Sequence, residues 1–453
     1  MNSELIGKKT KRTEAYDIRF KVVLNPSERV RIFGQDFVRY NEKYILMSLN
    51  DGPEIPIAEE VIADVDELII TLIILKDESL TSLNKMFMRC TANKIEFIKI
   101  DTSNIISMDS MFKESSFKTL DLSGWDVKQL LSAKSMFADC EKLKKVNLTG
   151  WKLWRVNDLE EMFSGSSKLE EIVMQSSSVL SVKNLKGVFY GCESLTSINL
   201  KNWITKKVVT TEEMFKDCKK LERLDLNHFS MENNENMSEM FKNCISLTEL
   251  KISEWGVENV EKMTGIFQNC KNLTEIPVSN WNPTYVKHIS NAFSHCESLN
   301  NLILKWKTPK LLYATEAFSD CYNLRVVDVE NLITSNVFNM SGIFKNCYNL
   351  QRIYQNFSGE NLLALDSFFE NCYSLISADL SGLETSNAFS ANKMFKNCWS
   401  LLGVDISNAS YGRMYSAKEM FTNCYSLVKI QKHRDIDVKF TSKIYDNCNS
   451  LIH

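Results

Sequence analysis

Residues 237–255 read MSEMFKNCISLTELKISEW. Met237, Met240, Phe241 and Cys244 stand at i, i+3, i+4 and i+7, the spacing of one face of a 3.6-residue helix. Leu247, Leu250 and Ile252 follow, and the alternation at their end reads as a short half-buried strand. Asn243, just before the cysteine, is a residue type that tolerates the left-handed conformation at which helices stop. The next stretch repeats every part: Met263, Ile266, Phe267, Asn269 and Cys270, then Leu273, Ile276 and Val278.

Working outward, each of the 13 cysteines lies three residues after an aromatic anchor, from Phe87/Cys90 through Phe395/Cys398 to Tyr445/Cys448. Phe112 and Phe163 fill the two gaps, with Ser115 and Ser166 in the thiol position. These fifteen anchors recur every 24 to 26 residues, the period of a solenoid. No such unit buries its apolar side alone, so successive units must stack, their strands pairing in parallel about 4.8 Å apart. The expected fold is an α/β solenoid, an array of about 15 turns with one short parallel strand and one short helix per turn. Phe241, Cys244, Phe267, Cys270, Phe395 and Cys398 are expected in its core. Trp125, Trp151, Trp203, Phe229, Trp255 and Trp281, each three residues past a strand, are expected to pin the return loop. An odd cysteine count without a CxxC pair points to buried, reduced thiols serving as small apolar fillers.

The string Met-Phe-x-x-Cys-x-x-Leu-x-x-Leu-x-Leu-Ser-x-Trp, seen at 240–255 with Ile252 at its last aliphatic position, resembles the BspA-like leucine-rich-repeat proteins. The resemblance runs from about residue 83 to the end of the sequence and implies a leucine-rich-repeat solenoid. Many members of that family are surface proteins linked to adhesion, so it also implies an adhesin or host-interaction role as an alternative.

Three segments are expected. Residues 1–16 form a polar tail, disordered or partner-dependent. Residues 17–75 form a small β-rich N-terminal cap, with strands at 18–24, 29–33, 44–49 and 54–58 and a short helix at 35–41. Ile69, Leu72 and Ile74 fit the repeat's strand pattern and read as the opening strand of the array. Residues 76–453 form the solenoid, whose last unit reaches His453 before its strand. That implies a C-terminal end covered by a partner or a second copy.

A net charge of −3 argues against a nucleic-acid partner, which needs a basic face. The longest apolar run, Leu68 to Leu75, is eight residues and too short to span a bilayer, and the first twenty residues hold no apolar signal core. A cytoplasmic protein without membrane insertion is expected, with the cell surface as the alternative. The five histidines fall at unrelated repeat positions, and no hydrolase, phosphate-loop or zinc motif occurs. The expectation is a non-enzyme without cofactor or metal, an interaction scaffold or structural subunit that binds protein partners.

Two columns are candidates for that binding. Immediately after each cysteine, early repeats carry mostly charged residues such as Glu141, Lys219 and Glu297, and the next five carry Tyr322, Tyr348, Tyr373, Trp399 and Tyr425. Aromatic residues are favoured at interface hot spots, although stacked rings also simply cover a loop edge. The second column lies on the strand face and turns acidic late in the chain, at Asp328, Asp379 and Asp405. A solvated sheet face is the simpler reading there; recognition of a basic or polar partner is the other.

Overall fold

The computed structural model describes residues 17–25, 28–62, 64–75, 80–174, 178–410, 412–432 and 444–451. The expected tail at 1–16 and the chain's end at His453 lie outside the described residues. The chain divides into two compact units, Met1–Ile204 and Thr205–His453.

In the first unit, a five-stranded antiparallel sheet has the order Ile55–Pro56, Ile45–Leu49, Glu67–Ile74, Ile18–Val23, Lys94–Lys99. Phe20, Val22, Ile70 and Leu72 alternate inward and are fully buried. Arg29–Arg31 pairs with Glu60–Ile62, and the helix lies at Gln35–Asn41. Ile69, Leu72 and Ile74 do not open the solenoid. They belong to an eight-residue strand whose length lets it pair on both edges at the centre of this sheet. Lys94–Lys99, the strand of the first repeat, joins the sheet at its edge. Thr119–Asp121, Lys145–Asn147 and Glu171–Val173 then pair in parallel, one strand per repeat.

In the second unit, parallel ladders join Arg223–Asp225 to Glu249–Lys251, then Asn301–Ile303 to Val326–Val329 to Arg352–Gln355, then Ser377–Asp379 to Gly403–Ile406 to Lys429–Lys432. Four strand-bearing turns in the first unit and eight in the second make a β-solenoid of about 12 turns, not 15. The repeats anchored at Phe189 and Phe267 carry no regular strand, and the one anchored at Tyr445 reaches none among the described residues. In the Phe267 repeat, Pro277 removes a ladder donor from the middle of the segment.

The helix expected in each turn is also corrected: among the described residues the one α-helix is Gln35–Asn41, outside the repeats. The backbone of the Phe267 repeat shows why. The N–H groups of Ile266, Gln268 and Cys270 donate to the carbonyls of Met263, Gly265 and Phe267, at 3.3, 3.1 and 3.1 Å. Those of Met263, Gly265, Phe267 and Asn269 donate instead to His288, Ser290, Ala292 and Ser294 of the next turn, at 2.8–2.9 Å. Every second donor therefore leaves the segment, and no i→i+4 ladder can run through it. Gly265 and Asn269 have φ of 58° and 66°, which no right-handed helix contains. Three overlapping tight turns, starting two residues apart, bury Met263, Ile266, Phe267 and Cys270, the same set a helix face would bury.

The core is a row of rings. From Phe215 to Tyr445 successive anchors lie 5.2–5.8 Å apart, nearly parallel. The indoles add a second row: Trp255, Trp281 and Trp306 donate Nε1–H to the carbonyls of Leu226, Ile252 and Val278 at 2.8, 3.1 and 2.9 Å. Among the described residues no helix is long and apolar enough to cross a membrane.

Candidate functional site

Phe241, Cys244, Phe267, Cys270, Phe395 and Cys398 are all completely buried. The thiols do more than fill space. Cys244, Cys270 and Cys398 donate to the carbonyls of Phe215, Phe241 and Phe369 at 3.1, 3.1 and 3.2 Å, each carbonyl belonging to the anchor one turn earlier. Burial drives their pKa values upward, so they remain protonated donors. These groups hold turn to turn and are inaccessible to a ligand.

The position before each cysteine carries a second row. Asn371 Nδ2 donates to Asn346 Oδ1 at 2.6 Å, and Asn397 Nδ2 to Asn371 Oδ1 at 2.7 Å. Asn423 and Asn447 continue it. These residues sit at positive φ, and the ladder ties their amides across the turns.

One position after the cysteine, the outer edge begins. Tyr322 and Tyr348 stack with centroids 4.9 Å apart, Tyr348 and Tyr373 at 5.0 Å, and Tyr373 and Trp399 at 4.1 Å, all within 16° of parallel. Tyr425 follows in the next turn; it and Trp399 are each 45% exposed. The row is held by backbone: the residues after Tyr348, Tyr373, Trp399 and Tyr425 donate N–H to the carbonyl of the preceding rung at 3.1–3.3 Å. Burial pushes the Tyr322 and Tyr373 hydroxyls above the usual phenol range, with Asp320 adding to the effect at Tyr322. Tyr322 and Tyr373 thus stay neutral phenols, and the Tyr322 hydroxyl donates to Asp320 Oδ1 at 3.5 Å.

Beside this edge lies an apolar row the sequence reading missed. Ile376, Leu402 and Val428, three residues past Tyr373, Trp399 and Tyr425, are 40%, 51% and 39% exposed. Each follows a buried leucine, and that unbroken apolar pair in three consecutive repeats was the available signal.

Asp328, Asp379 and Asp405 lie on the strand face, away from the buried rows. Their Oδ1 atoms accept N–H from Glu330, Ser381 and Ser407 at 3.2, 3.0 and 3.0 Å. Asp121, Asn147 and Asn199 do the same for the residue two further on, so this column closes the turn after each strand. For Asp379, hydrogen bonding from the Ser381 side chain, and then from its N–H, lowers the carboxyl pKa. Among the described residues no cluster of histidine, cysteine and carboxylate side chains is placed to hold a metal ion.

Residues 74–176, 134–251, 220–325 and 313–433 match the family described as Mycoplasma protein of unknown function, DUF285. No curated protein matches the chain. Among solved structures, a leucine-rich repeat protein from Bacteroides ovatus is 18% identical, over 71% of this chain and 86% of that one, with a TM-score of 0.38. The functional domain of InlJ from Listeria monocytogenes, which includes a cysteine ladder, is 10% identical over 82% of this chain and 72% of that one, at 0.26. A leucine-rich repeat protein of Leptospira interrogans is 12% identical over 68% and 74%, at 0.23.

Proposed function

We propose that this chain, which belongs to the Mycoplasma DUF285 family, is a non-catalytic interaction scaffold that captures a protein partner along the edge formed by Tyr322, Tyr348, Tyr373, Trp399 and Tyr425. The observation that carries the reading is the half-exposed ring row with its apolar neighbours Ile376, Leu402 and Val428. Turn-to-turn backbone bonds fix these rings before any partner arrives, so binding orders little that was free. Aromatic anchors set in a rigid frame are the usual carriers of interface energy. Asp328, Asp379 and Asp405 are a secondary surface in this reading, because their carboxylates already serve their own turns. The likeness to BspA-like proteins rests on the repeat string, and the edge row stands without it.

The test is chemical cross-linking of the full chain in native lysate, followed by identification of what is joined. Replacing Tyr348, Tyr373 and Trp399 together by serine should remove the cross-linked partner while the thermal unfolding curve keeps its cooperativity. Unchanged cross-linking in a folded triple variant sinks the reading.

A further inference from the structure

The first unit holds two regular strands that lie side by side without pairing. Lys94–Lys99 pairs with Ile18–Val23 in the antiparallel sheet, and Thr119–Asp121 pairs with Lys145–Asn147, yet no ladder joins the one to the other. One interval later, Leu122 N–H donates to the carbonyl of Asn147 at 2.9 Å. Phe97 and Asp121 are the equivalent residues one repeat earlier, and no hydrogen bond links them. Neighbouring residues of a strand direct their backbone groups to opposite sides. Leu120 and Leu122 face Lys145–Asn147, so Thr119 and Asp121 face back toward Lys94–Lys99. On the other wall, Leu24 N–H donates to Asp66, which turns the even-numbered residues of Ile18–Val23 away from Lys94–Lys99. Lys94 and Glu96 therefore face Val23 and Lys21, while Ile95 and Phe97 face the gap. Two open strand edges thus line a cleft of about 520 Å³, a volume typical of ligand pockets.

We propose that an extended peptide segment of a partner protein docks in this cleft as an added strand, with a lysine or arginine held between Glu96 and Asp121. The open edges select a strand, because unpaired N–H and C=O groups on both walls are satisfied together only by another backbone. No ladder bond spans the gap, so the walls part to about 9.6 Å, two strand intervals, without losing one. Charge selects the central side chain. Glu96 and Asp121 hold the same repeat position, each between two apolar residues of its strand, and both are exposed. The Ser123 hydroxyl and N–H hold the Asp121 carboxyl below its usual range, so it is ionised at neutral pH. Lys21 Nζ lies 3.6 Å from Glu96 but is shared with Glu67 at 3.4 Å. The adjoining rows are Lys94 with Thr119 and Ile98 with Ser123. A strand in register therefore places an acidic side chain beside Lys94 and an apolar one beside Ile98, each two residues from its base. Phe97 and Trp125, edge to face at 4.9 Å, line the inner side of the cleft.

The test is fluorescence anisotropy of the full chain with a labelled, end-capped peptide, Thr-Ile-Val-Lys-Val-Glu-Thr, which carries that pattern in the antiparallel sense that strand pairing favours. Binding with a dissociation constant of about 1–100 μM is expected. Methylating the amide nitrogens of the two valines removes backbone donors and should abolish it. Exchange of the Ile95, Phe97, Thr119 and Asp121 amides should slow when the peptide binds. Glu96→Gln combined with Asp121→Asn should weaken binding about ten-fold. The melting temperature should hold in that variant, because Asn147 closes the equivalent turn one repeat on, accepting Thr149 N–H at 3.1 Å. No binding at about 100 μM, or binding indifferent to the methylation or to the double variant, overturns the proposal. So does slowed exchange elsewhere in place of those four amides, or a cleft closed by a second copy, seen as a dimer that the peptide splits. Replacing Tyr348, Tyr373 and Trp399 should leave peptide binding unchanged, so the cleft and the aromatic edge stand or fall separately.

Discussion

The thiol of Cys270 donates a hydrogen bond to the carbonyl oxygen of Phe241 in the preceding turn, at 3.1 Å. The chain supplies its own control for this contact, because Ser166 Oγ donates to the carbonyl of Phe137 at 2.7 Å from the same repeat position. What the position requires is a small side chain with a donor.

Cys270→Ser should therefore destabilise the protein less than Cys270→Ala, by about 1 kcal/mol, the net worth of one buried hydrogen bond. Urea unfolding of the two variants measures the difference. Equal midpoints, or a more stable alanine variant, exclude the thiol as a working donor.

Burial raises the thiol pKa of Cys90 and Cys321 to about 12 and that of Cys140 to about 11, from an ordinary 9.0. Raised values mean that the unfolded chain loses these protons first as the pH rises. Their contribution is present in full below pH 9.0 and falls away as the pH climbs through 11 and 12. Stability measured against pH should accordingly decline on the alkaline side, more steeply than in a variant with Cys90 and Cys140 replaced by serine. A parallel decline in both proteins contradicts this.

Asn371 has a φ of 65° and both donates to and accepts from its neighbours in the amide row. Asn371→Gly loses the side-chain bonds and keeps an unstrained backbone; Asn371→Ala loses the bonds and adds left-handed strain of about 1–2 kcal/mol. Glycine should be the milder substitution. A left-handed helix stop predicts that same order, so the discriminating position is Ser367, in the middle of the segment at a φ of 57°. There glycine should be milder than alanine in the stacked turns and worse by about 1 kcal/mol in a helix, and one pair of melting temperatures tells them apart.

Phe267 lies between Phe241 at 5.6 Å and Phe293 at 5.5 Å, fully buried. Phe267→Ala should cost roughly 3–5 kcal/mol through the cavity it leaves. Because each turn touches mainly its neighbours, hydrogen exchange should accelerate most near residues 237–300 and least around Phe395. Uniform acceleration across the second unit contradicts that locality.

Much of the fold was legible in advance. The 26-residue spacing placed the anchors and the cysteines, and the alternation at Leu224 and Leu226 or Val327 and Val329 found strands where strands occur. The short helix at Gln35–Asn41 was readable from local pattern too. The turn conformation was misread because Met263, Ile266, Phe267 and Cys270 turn inward in either geometry, so hydrophobic spacing carries no vote between them. Gly265 and Gly342, at the earlier left-handed position of their repeats, held the missing clue, although Glu213, Glu239 and Glu316 occupy that position elsewhere and hide it. At the candidate site, the aromatic column was visible as a column. The roles of Asp328, Asp379 and Asp405 in closing turns were not, because an Asx contact depends on the backbone two residues on.

The amino-acid sequence alone determined the period, the inward residues and the places where a side chain tolerates positive φ, since each is a property of a residue and its near neighbours. Tertiary structure decided where the backbone donors went. Phe267 N–H bonds to Ala292, a full turn away, and that choice excludes the helix, straightens the surface columns into rows and sets their spacing. A partner 25 residues distant leaves no trace in local periodicity, so only the stacked chain could reveal it.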